Sequence, residues 1–362
     1  MLIMNREILI IKEQIQLYPL NLSGLTVITE CASGYYAFNT LVPLMAGAKK
    51  VIAVGGDSVY ASYSHCRDNL MDILTKNNLN TEHITICDKL EKEHLEEADI
   101  ITNTGFVRPI TASMMKCMKK SAVIPLMWET WEFRDSDLDL PAARENEILV
   151  LGTHEAYPKL AMYPYIGMLA LSLLFRLELE VYKNRVILIG GGIPGTAIAD
   201  TFQKNGVFYH WFVDTPQKKE QLPYHQISQY KEIFSHADAI IFIEHEIDKD
   251  IFCVENDFTF QQLARLNPDI KMGVISGKLD IPALKESGLR FYPPTIKPFG
   301  FMSFQPYHLG PRPVLELFSA GLKVGELMAR CRLKGMGIAE TIQYCLTHSP
   351  AMDFGNGGYM EK

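Results

Sequence analysis

Short β-branched runs alternate with helical stretches along nearly the whole chain, the pattern of a mostly parallel sheet with helices between its strands. Over the first 150 residues the strand candidates are Leu25–Thr29, Val51–Val54, Ile84–Cys87, Asp99–Thr102, Val123–Leu126 and Ile148–Leu151. Helices are expected at Tyr35–Met45, Val59–Leu74, Thr111–Lys119 and Leu140–Glu145. A long apolar helix, Ala161–Leu177, interrupts the alternation, which resumes with strands near 186–189, 208–213, 238–243, 271–275 and 290–292. Between Tyr292 and Pro313 six prolines impose a loop, and an amphipathic helix, Val314–Cys331, leaves it. The tail from Ser349 is rich in glycine and polar residues and is expected to be poorly ordered.

The repeat of this pattern on either side of Ala161 predicts an α/β chain of two doubly wound, parallel-sheet domains. Their boundaries are expected at 1–151 and 152–313, with residues 314–362 supplying a C-terminal helix that crosses back to the first domain. At 362 residues each domain is long enough to bury its own core. The net charge of −7 argues against a nucleic-acid-binding face. Seven cysteines are scattered with no CxxC or CxxH spacing, which reads as reduced core thiols and leaves no metal site expected. Met1–Ile11 carries Asn5, Arg6 and Glu7 and no small-residue cleavage site, so a secretory signal is not expected there. Leu160–Leu177 holds Tyr163, Pro164 and Tyr165 and is too short to span a bilayer. A cytoplasmic protein is the expectation.

Between Arg185 and Asp214 the pattern acquires a chemistry. The apolar strand Val186–Ile189 runs into Gly190-Gly191-Gly192-Ile193-Pro194-Gly195, then a small-residue helix start, then a second strand ending at Asp214-Thr215. Gly190 permits the tight turn, Gly192 leaves room for a pyrophosphate, and Gly195 lets the helix approach the sheet. The helix N-terminus offers free N–H groups to phosphate. Asp214 stands where a carboxylate would accept from both ribose hydroxyls, which favours NAD over NADP.

The order of segments from about residue 98 to 335 resembles the D-2-hydroxyacid dehydrogenase superfamily. The similarity rests on Ala98–Ile101 with Pro109-Ile110-Thr111, on Asp137–Ala143 with Ile148 and Val150, and on Leu160–Arg176 as the joining helix. It continues through Asp214-Thr215-Pro216 and the loop Pro306-Tyr307-His308-Leu309-Gly310. The resemblance implies that His308 exchanges a proton with a substrate hydroxyl while hydride moves to nicotinamide. Two positions depart from the family. In Gly273–Leu284 the substrate-gripping arginine is replaced by Ile275 or Ser276, with Lys278 nearby, and Tyr292-Pro293-Pro294 stands where the histidine's glutamate partner belongs. Lys278, Arg312 and His154 are therefore the candidates for orienting substrate, although Arg312 could equally pair with Glu316 and His154 could cap a helix. The substrate is expected to be a small molecule other than an ordinary 2-hydroxy acid, and the family likeness implies a homodimer.

The first hundred residues diverge further. Val27–Tyr36 followed by Gly47–Val54 is similar to the opening of class I methyltransferases, but of their usual glycines only Gly34 remains and Asp57 is displaced. A scaffold shaping a substrate pocket is the plainer reading. Trp128-Glu129-Thr130-Trp131-Glu132 and Asn103–Phe106 follow strands and could line that pocket, as core or turn residues could too. Glu244-His245-Glu246 reads as loop residues facing solvent, not a metal cluster. Three functions stay open: an NAD-dependent oxidoreductase; a protein holding NAD tightly, as S-adenosylhomocysteine hydrolase-like enzymes do, or as a ligand without turnover; and a methyltransferase working through the first half.

Overall fold

The computed structural model describes residues 5–355 and 357–361, so part of the Met1–Ile11 segment and two tail positions lie outside the described residues. The chain divides into two compact units. One combines the residues up to Ala161 with those from Gly310 onward, and the other is Met162–Leu309.

The first unit holds strands β1 (Thr26–Glu30), β2 (Lys50–Val54), β3 (Ile84–Cys87), β4 (Ile100–Ile101), β5 (Val123–Pro125) and β6 (Leu149–Thr153). They lie in the order β3-β2-β1-β4-β5-β6 and all run parallel. Every residue of β1 and β6 is buried, as expected of strands covered on both faces. Helix Pro311–Leu333 packs on β5 and β6 and on helix Arg6–Leu17, so the C-terminal segment completes this unit.

Among the described residues the tail is built into the fold, contrary to expectation. Helix Ile338–His348 follows, and Ala351–Met352 pairs antiparallel with Thr153 and Gly152 at the edge of the sheet. Tyr359 is fully buried and its hydroxyl donates to the Ile148 carbonyl. One aromatic anchor outweighs the glycine-rich composition around it.

The second unit contains β7 (Arg185–Ile189), β8 (Phe208–Val213), β9 (Gln221–Pro223), β10 (Ala239–Ile243), β11 (Lys271–Ser276) and β12 (Arg290–Tyr292). Their order, β9-β8-β7-β10-β11-β12, is the doubly wound dinucleotide-binding order, with all pairs parallel. Separate apolar clusters cover the two faces. One is built around Phe212, Phe234, Phe242 and Phe258, the other around Leu173, Leu188, Ile198 and Phe202.

The structure moves the boundaries expected at 151/152 and 313/314 to 161/162 and 309/310. The cause is local: the His154 N–H donates to the Pro350 carbonyl and the Glu155 N–H to Glu129, which tie the segment after β6 to the first unit. The helix expected from Val59 begins at Tyr63, because Ser62 caps it by accepting from the His65 N–H, while Val59 is 93% exposed.

Candidate functional site

The turn after β7 is built as a cradle. Gly190 has φ +136°, and a Cβ there would stand 2.1 Å from the Ile243 carbonyl oxygen. Gly192, with φ +64°, opens helix Gly192–Lys204, and Gly195 has its N–H on the Gly191 carbonyl. The indole of Trp211, one strand over, donates to the Gly190 carbonyl at 2.7 Å and locks the turn. Gly191 brings no side-chain cap, so the first-turn N–H groups have no partner within the helix. Ile193 is 56% exposed beside them. Asp214 follows β8 directly, exposed, and accepts from the Thr215 hydroxyl at 3.2 Å. This arrangement fits a dinucleotide: a side-chain-free turn, an uncapped helix end and an acid after the second strand.

His308 lies in the same unit, in the turn Pro306–Leu309. Its ring is stacked between Phe304, at 4.4 Å, and Tyr307, at 4.0 Å. Nδ1 accepts from the Gln305 N–H at 2.9 Å. Burial lowers its pKa below the usual histidine range, and Arg176 adds to the shift. No carboxylate bonds to it among the described residues. Lys278 forms an exposed ion pair with Asp248 at 3.2 Å. Arg312 belongs to the first unit, where it bridges Glu13 at 2.9 Å and Glu316 at 3.2 Å and so joins two helices. That is the plain alternative recognised in the sequence.

His154 has the carboxylate partner that His308 lacks. It follows β6, and Glu129 follows β5, the adjacent parallel strand, so both emerge at the same end of the sheet. Nδ1 of His154 lies 3.0 Å from Glu129 Oε1. Glu129 is 3% exposed and also accepts from the Glu155 N–H at 2.9 Å and the Trp131 indole at 2.6 Å. The carboxylate faces Nδ1, so Nε2 is the ring nitrogen turned away from it. Glu155, half-buried beside the pair, has its pKa raised well above the usual range by burial and by the charges of Glu132 and Glu129. The sequence named both segments but did not pair them.

Other singled-out residues take plainer places. Glu30 ends β1; it is buried and accepts from the Asn39 amide at 3.2 Å. Asp57 accepts from the Tyr63 N–H at 2.8 Å, at the start of a helix. The expectation that Glu244–Glu246 face solvent fails for Glu244, which is 2% exposed and accepts from the Tyr224 hydroxyl. Asn103 is buried at the end of β4. Of the seven cysteines, all unpaired, Cys87, Cys117 and Cys253 are only half-buried. Among the described residues no group of three or more His, Cys, Asp or Glu is placed to hold a metal ion, and no helix is long and apolar enough to cross a membrane. A shallow pocket beside Arg185, His210 and His236 lies at the amino end of β7, the far end from the glycine turn.

No protein-family model matches this chain, and no curated protein does either. Among solved structures it is similar to a dipicolinate synthase chain from Bacillus subtilis, with TM-score 0.54 and 13% identity over 87% of this chain and 99% of that one. The dipicolinate synthase chain from Bacillus halodurans gives TM-score 0.51 and 11% identity over 83% and 96%. A D-lactate dehydrogenase from Treponema pallidum overlaps more loosely, with TM-score 0.46 and 11% identity over 87% and 99%. The two dipicolinate synthase likenesses agree with the α/β fold and its two parallel-dominated sheets.

Proposed function

We propose that this chain is an NAD-dependent oxidoreductase, a divergent relative of the D-2-hydroxyacid dehydrogenases, acting on a small molecule other than an ordinary 2-hydroxy acid. The glycine cradle after β7 carries this reading, because a Cβ at Gly190 has nowhere to go and the turn stays open only as glycine. Gly190, Gly192 and Gly195 would hold the pyrophosphate with the N–H groups of the helix start, and Asp214 the adenosine ribose. NAD supplies the hydride acceptor when bound.

Two histidines are candidates for proton transfer, His308 in the unit that carries the cradle and His154 in the first unit. Removing a hydroxyl proton leaves an imidazolium, and the buried Glu129 carboxylate offsets that charge at Nδ1. His308 has no such partner, and its lowered pKa disfavours the charged form. No arginine fork is available at Ile275 or Ser276, so poor turnover of lactate or glycerate is expected.

The test is NAD binding by titration, followed by turnover with a panel of hydroxy and amino substrates. Asp214→Ala should weaken NAD binding by about 1–3 kcal/mol, the cost of unpaired ribose hydroxyls. Unchanged affinity in that variant removes the nucleotide assignment. His154→Asn should lower turnover by about 10²–10⁴-fold with NAD affinity intact. If His308→Asn shows that loss instead, the proton role returns to His308.

A cytoplasmic homodimer completes the proposal. Met168 and Phe175 are 44% and 62% exposed on helix Tyr163–Arg176, which gives that helix an apolar outer face. Sedimentation as a monomer at micromolar concentration would reject the dimer.

A further inference from the structure

The loop after β10 brings an acid to the place where the cradle would meet phosphate. Glu244, buried and held by the Tyr224 hydroxyl, accepts from the N–H of Glu246 at 2.8 Å and of Ile247 at 3.2 Å. The backbone at Glu246 is thereby fixed, and its side chain reaches over the glycine turn. A Cβ on Gly192 would lie 2.8 Å from one Glu246 carboxylate oxygen, and a Cβ on Gly191 would lie 3.4 Å from the other. The His245 ring crowds the same point, 3.0 Å from a Cβ on Gly192. The helix beneath has no side-chain cap and no acid in its own first turn. Its positive end is met by Glu246, an anion brought from another strand.

We propose that Glu246 occupies the phosphate seat of the cradle as an internal competitor, and so determines which nucleotides bind and how tightly. The proposal rests on the reading of Gly190–Gly195 as a nucleotide site. The Glu246 carboxylate and a phosphate group carry the same sign and compete for the same N–H groups, so a ligand with a diphosphate must displace the side chain. A nucleoside without phosphate meets no such opposition. Glu246 thus lowers affinity for the diphosphate part of a ligand while leaving the adenosine part alone. Its side chain is 56% exposed, and its nearest charged neighbour is the His245 ring, with Nε2 3.8 Å from one carboxylate oxygen, a contact that displacement outward would break.

The discriminating experiment titrates NAD, ADP and adenosine against the full chain by calorimetry, in the wild type, Glu246→Gln and Glu246→Ala. Both variants should bind NAD and ADP about 10-fold more tightly, the scale of an anion's interaction with a helix terminus, and adenosine unchanged. NAD and ADP affinities that stay the same or fall, with adenosine still bound, would overturn the competitor role. Tightening of adenosine to the same degree would overturn it too, since the effect would then lie away from the phosphates. If none of the three ligands binds any form, the nucleotide-site reading itself fails and this proposal falls with it.

Discussion

The two sheets of this chain run outward from their first strands in one order, β3-β2-β1-β4-β5-β6 and β9-β8-β7-β10-β11-β12, yet their first strands end differently. After β7 come three glycines and a bare helix start. β1 ends in Glu30, followed by Cys31-Ala32, with the carboxylate of Glu30 folded inward on the Asn39 amide. A doubly wound order creates a crevice beyond the strand ends in both units. The side chains in the first turn decide whether that crevice can admit phosphate. The second unit kept its turn open, and the first closed it and placed its paired titratable groups at the ends of β5 and β6 instead.

The largest break in this comparison is Gly190→Ala. A methyl 2.1 Å from a carbonyl oxygen, on a backbone at φ +136°, should cost more than about 4 kcal/mol. The second unit is expected to unfold, read as lost soluble yield or a missing thermal transition. A well-folded variant would mean that the turn is not held as described.

Glu30 supplies a milder probe of the closed turn. Glu30→Ala leaves the Asn39 amide donor without its acceptor and should cost about 1–3 kcal/mol in urea unfolding. Glu30→Gln keeps an acceptor, and burial already raises the Glu30 pKa and favours its neutral form, so little change is expected. Equal losses in both variants would show that the charge itself is needed.

The smallest expected effect is at Glu155. Its folded carboxyl titrates above the unfolded value, so its cost is absent in acid and grows as pH rises through the folded pKa. Glu155→Gln should therefore raise Tm by a few degrees at about pH 8, with the gain vanishing near about pH 4. A gain independent of pH would point to packing instead of charge.

The second unit is the more legible in the sequence, for a physical reason. Val186–Ile189 and Ala239–Ile243 are buried on both faces and read as unbroken apolar runs, and the glycine spacing is local in the chain. The first unit hides more. The buried stripe that marks helix Arg6–Leu17 includes the polar Gln14 beside Ile8 and Ile11, which blurs its helical period. In the second unit strand Gln221–Pro223 is the exception, three half-buried residues with no alternation to detect. The Glu129–His154 pair spans 25 positions and exists only because β5 and β6 are neighbours. Nothing in a single sequence states that adjacency, and the same holds for Glu246 over Gly192.

The first unit is discontinuous in the chain, and this orders its synthesis. The second unit, Met162–Leu309, is complete as soon as Leu309 has left the ribosome. The first cannot close until Tyr359 has emerged to reach Ile148, more than two hundred residues behind it. Through that interval β5, β6 and helix Arg6–Leu17 wait without the helix Pro311–Leu333 that covers them. All residues of the second unit are therefore available before those of the first, whose sheet stays longer without its covering helix.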